Sequence, residues 1–150
     1  MGQTEKETKK SVSSKAGQAI SGRILVAEDN ENIQDVLSSI LDFMGFKAVF
    51  AGNGAEALSL FLKNSFDLVL TDLEMPIMDG WSLTHCIKER SPNTPIVLMT
   101  GVDRETVRKK VERGPVDAVI FKPFRLEDLQ RTVQGALAST EREHGPVGVG

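Results

Sequence analysis

Polar side chains suited to phosphate and metal chemistry follow four of the five short apolar runs in this sequence. They are Glu28 and Asp29 after the first run, Asp72 after the third, Thr100 after the fourth and Lys122 after the fifth. Such runs predict buried strands, and parallel strands end at one common edge of their sheet. Each residue alone has an ordinary interpretation, as a helix cap, a turn residue or a solvated lysine. Together they predict one small site.

The three carboxylates of this set predict a metal site. Clustered carboxylates stay ionised at low cost only with a cation between them, and a ligand set made of oxygens suits Mg²⁺ or Mn²⁺. A carboxylate can also attack a phosphoryl group and form an acyl phosphate. Asp72 follows the central run and is therefore the predicted nucleophile. Thr100 and Lys122 would neutralise the phosphoryl oxygens.

The elements that must position these residues are repeated βα units. From Arg23 onward, short apolar runs alternate with segments of helical period, in five units, which is typical of an α/β fold with a parallel sheet. Asp29 or Asn30 is the expected N-cap of the first helix, and Gly45 ends it. Its apolar stripe consists of Ile33, Val36, Leu37, Ile40, Leu41 and Met44.

The fourth helix is predicted over residues 104–113, with Asp103 as its N-cap, and it is strongly charged. Val107 and Val111 are its only large apolar residues. The helix is therefore expected to be weakly anchored, either as an element able to move or as an ordinary solvated helix.

Length and composition bound the organisation of the chain. Its 150 residues predict one domain with tails: a disordered polar leader or linker at 1–22, the domain at 23–139 and a flexible tail at 140–150. A net charge of −3 argues against direct nucleic-acid binding. The sequence has no run long enough for membrane insertion and no signal-peptide pattern, which predicts a cytoplasmic protein.

The motifs at the strand ends resemble those of the receiver domain of two-component response regulators. The resemblance rests on Glu28-Asp29, on the segment from Asp72 to Gly80, on Thr100-Gly101 and on Lys122-Pro123-Phe124, and it runs from about Arg23 to about Ala138. It implies a flavodoxin-like, doubly wound (βα)5 sandwich with a parallel sheet of order 2-1-3-4-5, an order for which general fold rules already cite a member of this family.

The resemblance also implies a role for each residue of the site. Asp72 would accept a phosphoryl group from a phosphohistidine, Thr100 and Lys122 would contact its oxygens, and the bond before Pro123 would be cis. Mg²⁺ would be held directly by Asp29 and Asp72, by the backbone carbonyl of Glu74, and by Glu28 through a water molecule. The side chains of Glu74 and Val102 would modulate loss of the phosphoryl group.

Two positions depart from the family pattern. Glu28 stands where the family more often has Asp, which lengthens one side chain of the metal shell by a methylene. Val119 stands where family members commonly place an aromatic residue that moves inward with the Thr, and the chain contains no Tyr at all. We therefore expect phosphorylation to move the Thr100 loop and the helix at 104–113 through a smaller or different rearrangement.

These observations favour a phosphorylation-dependent signalling switch that promotes its own aspartyl phosphorylation and dephosphorylation and is not an enzyme for external substrates. One alternative is a small Mg²⁺-dependent phosphohydrolase of the haloacid dehalogenase type. Glu74, two residues after Asp72, imitates the spacing of that site, but there the nucleophile follows the first strand. A third interpretation is an interaction module whose site is a relic.

The resemblance implies a sensor histidine kinase or phosphotransfer domain as the phosphodonor and an unidentified downstream protein as the target. The face formed by the fourth helix, the fifth strand and the helix from Leu126 to Leu137 would serve such a partner or a phosphorylation-dependent homodimer. A stand-alone regulator and the receiver part of a hybrid kinase both agree with the sequence.

Overall fold

The computed structural model describes residues 22–144, which form a five-stranded parallel sheet covered by five helices. The strands are β1 (Gly22–Ala27), β2 (Phe46–Ala51), β3 (Leu68–Asp72), β4 (Ile96–Thr100) and β5 (Ala118–Phe121). The helices are α1 (Glu31–Phe43), α2 (Gly54–Lys63), α3 (Gly80–Arg90), α4 (Arg104–Arg113) and α5 (Leu126–His144). The strand order is β2-β1-β3-β4-β5, so the predicted fold class and order are confirmed.

Each face of the sheet has its own core, which explains why the strands are continuous apolar runs. Along β1, Ile24 and Val26 belong to one core, while Leu25 and Ala27 belong to the other. The first core is completed by residues of α1 and α5, namely Leu37, Leu41, Leu129 and Val133. The second is completed by residues of α2 and α3, namely Ala57, Leu83 and Ile87. The sheet is thus a rigid platform for its carboxyl edge.

Short polar side chains begin α1 to α4 and fix where each helix leaves the sheet. The caps are Asn30, Asn53, Asp79 and Asp103, and each accepts a hydrogen bond from the backbone N–H three residues later. A cap of this type is worth about 1 kcal/mol. Because Asn30 rather than Asp29 caps α1, the Asp29 carboxylate is left for the site.

The structure corrects the sequence prediction at two places. Val36 was expected in the buried stripe of α1 but is 55% exposed, because the helix rests on the sheet through Leu37 and Leu41. The last helix was expected over Leu126 to Leu137, whereas α5 continues to His144; the domain end at residue 139 stays a prediction. Of the predicted leader, Gly22 opens β1 and the rest lies outside the described residues, as does the chain after residue 144.

None of the helices within residues 22–144 combines the length and the apolar character that a membrane crossing demands.

Candidate metal and phosphoryl site

The carboxyl edge of the sheet brings together the residues that the sequence placed at strand ends. Strand β3 lies between β1 and β4, so Asp72 sits centrally. Glu28 and Asp29 approach it from β1, and Thr100 and Lys122 approach from the other side. Glu28 and Asp72 are almost fully buried, whereas Asp29 is exposed. The site therefore opens to solvent through Asp29.

One carboxylate oxygen from each of Glu28, Asp29 and Asp72 lies within 4.8 Å of the other two. Such a cluster of hard oxygen donors fits a small divalent cation. Two of these carboxylates are held in place by backbone amides. Asp72 Oδ1 accepts the N–H of Leu73 at 2.8 Å, and Glu28 Oε2 accepts the N–H of Asn30 at 3.0 Å.

Lys122 supplies the positive charge of the cluster. Its Nζ lies 3.2 Å from Asp72 Oδ2 and 3.3 Å from Glu28 Oε1. Burial disfavours the ammonium, but the Asp72 and Glu28 carboxylates outweigh it and raise the pKa of Lys122. Burial raises the pKa of the Glu28 carboxyl, and the Asp72 carboxylate adds to this against the opposing bonds from Asn30 and Lys122. One ammonium among three carboxylates leaves a net negative site that attracts cations.

Thr100 completes the edge from β4 and is buried. Its Oγ1 accepts the backbone N–H of Val102 at 2.9 Å, and its carbonyl accepts the N–H of Lys122 at 2.8 Å. The backbone N–H of Val102 is thus bonded to the Thr100 side chain. Val102 also lines a cleft of about 440 Å³ together with Glu74, Trp81 and Lys110. The hydrogen bond from Val102 joins Thr100 to the loop that leads into α4.

Comparison with known proteins decides the family. The model of the response regulator receiver domain matches residues 24–134. The chain belongs to this family. It is 39% identical over 116 residues to the regulatory protein AtoC of Escherichia coli K12, covering 77% of this chain and 25% of that protein. It is 32% identical over 129 residues to hybrid signal transduction histidine kinase K of Dictyostelium discoideum, covering 80% of this chain and 11% of that protein.

Solved receiver domains have the same fold. The receiver domain of the sensor histidine kinase PA1611 from Pseudomonas aeruginosa, solved with a magnesium ion in its active-site cleft, superposes with a TM-score of 0.73. The two are 26% identical, and the match covers 79% of this chain and 99% of that one. The chain therefore corresponds to a whole receiver domain, while it spans about a quarter or less of the length of AtoC and kinase K.

In this receiver domain, backbone hydrogen bonds hold the loop after Asp72 against β4 and join its two ends. The N–H of Leu73 donates to the Met99 carbonyl at 2.9 Å, and the N–H of Gly80 donates back to the Leu73 carbonyl at 2.8 Å. A Cβ on Gly80 would collide with the carbonyl oxygen of Asp72, so the turn requires glycine there. Glu74 lies within this loop, and metal binding by its carbonyl stays a prediction.

Ile77 has a conformation that the sequence did not reveal. Its φ is +67°, and the Met78 N–H donates to the Pro76 carbonyl at 2.7 Å across it, which is the bond of a γ-turn. A β-branched residue in the left-handed region is strained. The Ile77 side chain is 80% exposed, so this turn exposes an apolar group on the loop that follows Asp72. Pro76 and Asp79-Gly80 indicated a turn, but no local signal specifies this φ for Ile.

Val119 and Lys122 border a second cleft, between α4, β5 and the start of α5. Its volume is about 510 Å³, and its walls include Arg104 and Phe121. Val119, where the family resemblance implied an aromatic side chain, forms part of its wall. The Lys122–Pro123 peptide bond is cis, as the family resemblance implied.

Proposed function

We propose that this receiver domain is a phosphorylation-dependent switch in which Asp72 accepts a phosphoryl group from the phosphohistidine of a sensor histidine kinase or phosphotransfer domain. The observation that carries the proposal is the position of Asp72 Oδ2, which lies 3.2 Å from the Lys122 ammonium at the centre of the acidic cluster. Phosphoryl transfer depends mainly on positioning and charge neutralisation, and this arrangement offers both.

We assign the metal shell to Asp29, Asp72 and the Glu74 carbonyl, with Glu28 acting through water. Bound Mg²⁺ or Mn²⁺ would neutralise charge on the phosphoryl oxygens. Glu28 suits an indirect role because its two oxygens already bond the Asn30 amide and the Lys122 ammonium. These two bonds fix the carboxylate of the Glu28 side chain, which is one methylene longer than that of Asp.

In the transfer step, a carboxylate oxygen of Asp72 attacks phosphorus while the bond from phosphorus to the histidine nitrogen breaks. The electron pair stays on that nitrogen, the imidazole leaves neutral because its other ring nitrogen already carries a proton, and the product is an acyl phosphate. Lys122 moves its ammonium from the free carboxylate to a phosphoryl oxygen, and the Thr100 hydroxyl donates to another. Hydrolysis later requires water to reach phosphorus past the side chains of Glu74 and Val102.

The phosphodonor must cover the edge of the sheet around Asp72, and Ile77 is the exposed apolar group on the adjoining loop. We propose that Ile77 packs against the donor protein. The downstream protein, or a second copy of the chain, would then bind the face of α4, β5 and α5, where the cleft of about 510 Å³ lies.

The central experiment is labelling with acetyl phosphate and Mg²⁺, followed by intact-mass measurement. Wild type should gain one phosphoryl group, and Asp72→Ala or the addition of EDTA should abolish the gain. Asp35→Asn, an exposed acid on α1, is the matched control and should label like wild type. Unlabelled wild type, together with no binding of beryllium fluoride, would favour the interaction module instead.

Two further measurements address the donor and the hydrolase alternative. Phosphotransfer from purified, autophosphorylated histidine kinases should reach wild type but not Asp72→Ala. Incubation with p-nitrophenyl phosphate and Mg²⁺ should release no more than a stoichiometric amount of product, whereas continuous turnover would support a phosphohydrolase.

A further inference from the structure

Arg104 occupies a position that local rules disfavour. It is the first residue of α4, where the partial positive charge of the helix N-terminus repels a cation. Its guanidinium carbon instead lies 4.3 Å from the centroid of the Phe121 ring, a distance at which a cation and an aromatic face attract one another. The unfavourable placement is therefore offset by a contact between α4 and β5.

Phe121 connects that contact to the site. It is the direct partner of Thr100 in the ladder between β4 and β5, and paired residues of a parallel ladder project from the same face of the sheet. The residue after Phe121 is Lys122, whose N–H donates to the Thr100 carbonyl at 2.8 Å. The aromatic ring thus stands beside both Thr100 and the Lys122 backbone.

Helix α4 has few other anchors. Val107 is the fully buried side chain among the described residues of the helix. Lys110 places its ammonium 5.7 Å from the centroid of the Trp81 ring on α3. Besides its Asp103 cap and the half-buried Val111, the helix thus relies on one fully buried aliphatic residue and two cation–aromatic contacts, and an element with so little buried surface moves at low cost.

We propose that the stack of Arg104 on Phe121 is the contact through which occupancy of Asp72 moves α4, in place of an aromatic side chain at Val119. This inference rests on the proposed function. When the Thr100 hydroxyl turns toward a phosphoryl oxygen, the Val102 N–H loses its acceptor and the loop to Arg104 is released. Phe121 shifts into the space that the Thr100 hydroxyl vacates, its ring leaves the guanidinium, and the first turn of α4 is repositioned.

The test is an amide NMR titration of the Mg²⁺-loaded protein with beryllium fluoride, a mimic of the phosphoryl group. Variants Phe121→Leu and Arg104→Gln remove the ring and the charge, respectively. Both should still bind beryllium fluoride, seen as a bound ¹⁹F resonance, but the shift changes of amides 105–110 should fall to less than half those of wild type. Without the mimic, hydrogen exchange of amides 107–110, the first with acceptors four residues earlier in the chain, should be about two- to fivefold faster, the factor expected for loss of an exposed cation–π contact.

Two controls make the result specific. Lys109→Gln removes a positive charge from an exposed position of the same helix and should keep the wild-type shift changes, as should Phe121→Tyr, which keeps the ring. Wild-type shift changes in both Phe121→Leu and Arg104→Gln, or an unmoved α4 in wild type with the mimic bound, would overturn the inference. Absence of a bound ¹⁹F resonance in wild type would instead count against the proposed function.

Discussion

Replacing Asp29 by asparagine should stabilise the metal-free protein and remove its response to Mg²⁺. Asp29 shares the cluster with Glu28 and Asp72, with one oxygen of each within 4.8 Å of the others. Lys122 bonds those two carboxylates, so neutralising Asp29 relieves repulsion and leaves both ion pairs intact. The substitution thus separates the metal-binding role of the cluster from its internal salt bridges.

The magnitude follows from the geometry. Two unit charges at 4.8 Å, the upper limit of the separations in this cluster, repel by roughly 3.5 kcal/mol at an effective dielectric of about 20 and by roughly 0.9 kcal/mol in water. Because Asp29 is exposed, the screened value applies to each of its two neighbours. Loss of the favourable interaction with the N-terminus of α1 subtracts a few tenths of a kcal/mol. We expect Asp29→Asn to raise the free energy of unfolding by about 1.4 kcal/mol without metal.

Urea unfolding followed by the fluorescence of Trp81, the single tryptophan, measures this effect in EDTA and in Mg²⁺. Wild type should gain about 2.7 kcal/mol when free Mg²⁺ exceeds its dissociation constant by about a hundredfold, while Asp29→Asn gains almost nothing, so the order of stability reverses. Asp35→Asn, on the exposed side of α1, should do neither. Unfolding of Asp29→Asn at lower urea than wild type in EDTA, or a response of the variant to Mg²⁺ as strong as that of wild type, would refute this role of Asp29.

Three other substitutions test the loops around the site. Ile77→Gly should raise the free energy of unfolding by about 0.5–1 kcal/mol, because glycine accepts a positive φ without strain; acetyl phosphate labelling should stay unchanged, and phosphotransfer from a kinase should slow. Gly54→Ala should cost about 1–3 kcal/mol despite the better helix propensity of alanine, since its Cβ would collide with the Met78 carbonyl; equal stability in urea would contradict the packing. Hydrogen bonds from Thr106 lower the pKa of Asp103 below 3.8, so this carboxylate stabilises the fold above that pH and loses its effect as pH falls through the lowered value. The difference in urea midpoint between wild type and Asp103→Ala should accordingly shrink from pH 6 to pH 3, and a constant difference would exclude this origin.

The sequence was most informative where the controlling interactions are local. The bounds of α4 were predicted to the residue, because the Asp103 cap is a short-range signal. The grouping of Glu28, Asp29 and Asp72 was predictable from strand ends alone, since parallel strands share one carboxyl edge. The strand order itself came from the family resemblance, because periodicity does not specify which strands are neighbours.

Prediction failed where distant elements decide the outcome. Val36 fits the apolar period of α1 but is exposed, because the sheet covers only part of a helix surface. Ile77 has a positive φ, and the residue that follows it, Met78, accepts a hydrogen bond on its carbonyl from the N–H of Gly54 at 3.1 Å. The turn is thus held by a contact with a distant part of the chain. The stack of Arg104 on Phe121 joins residues from different elements and has no sequence signature.

The sequence by itself therefore determined which chemical groups reach the carboxyl edge, because strand ends and helix caps are encoded over a few residues. Only the tertiary structure decided how those groups are used: Lys122 bridges Asp72 and Glu28 across 50 and 94 residues of chain, and α4 is anchored through rings on α3 and β5. Contacts of such separation depend on how the strands are ordered and paired, which no local pattern specifies.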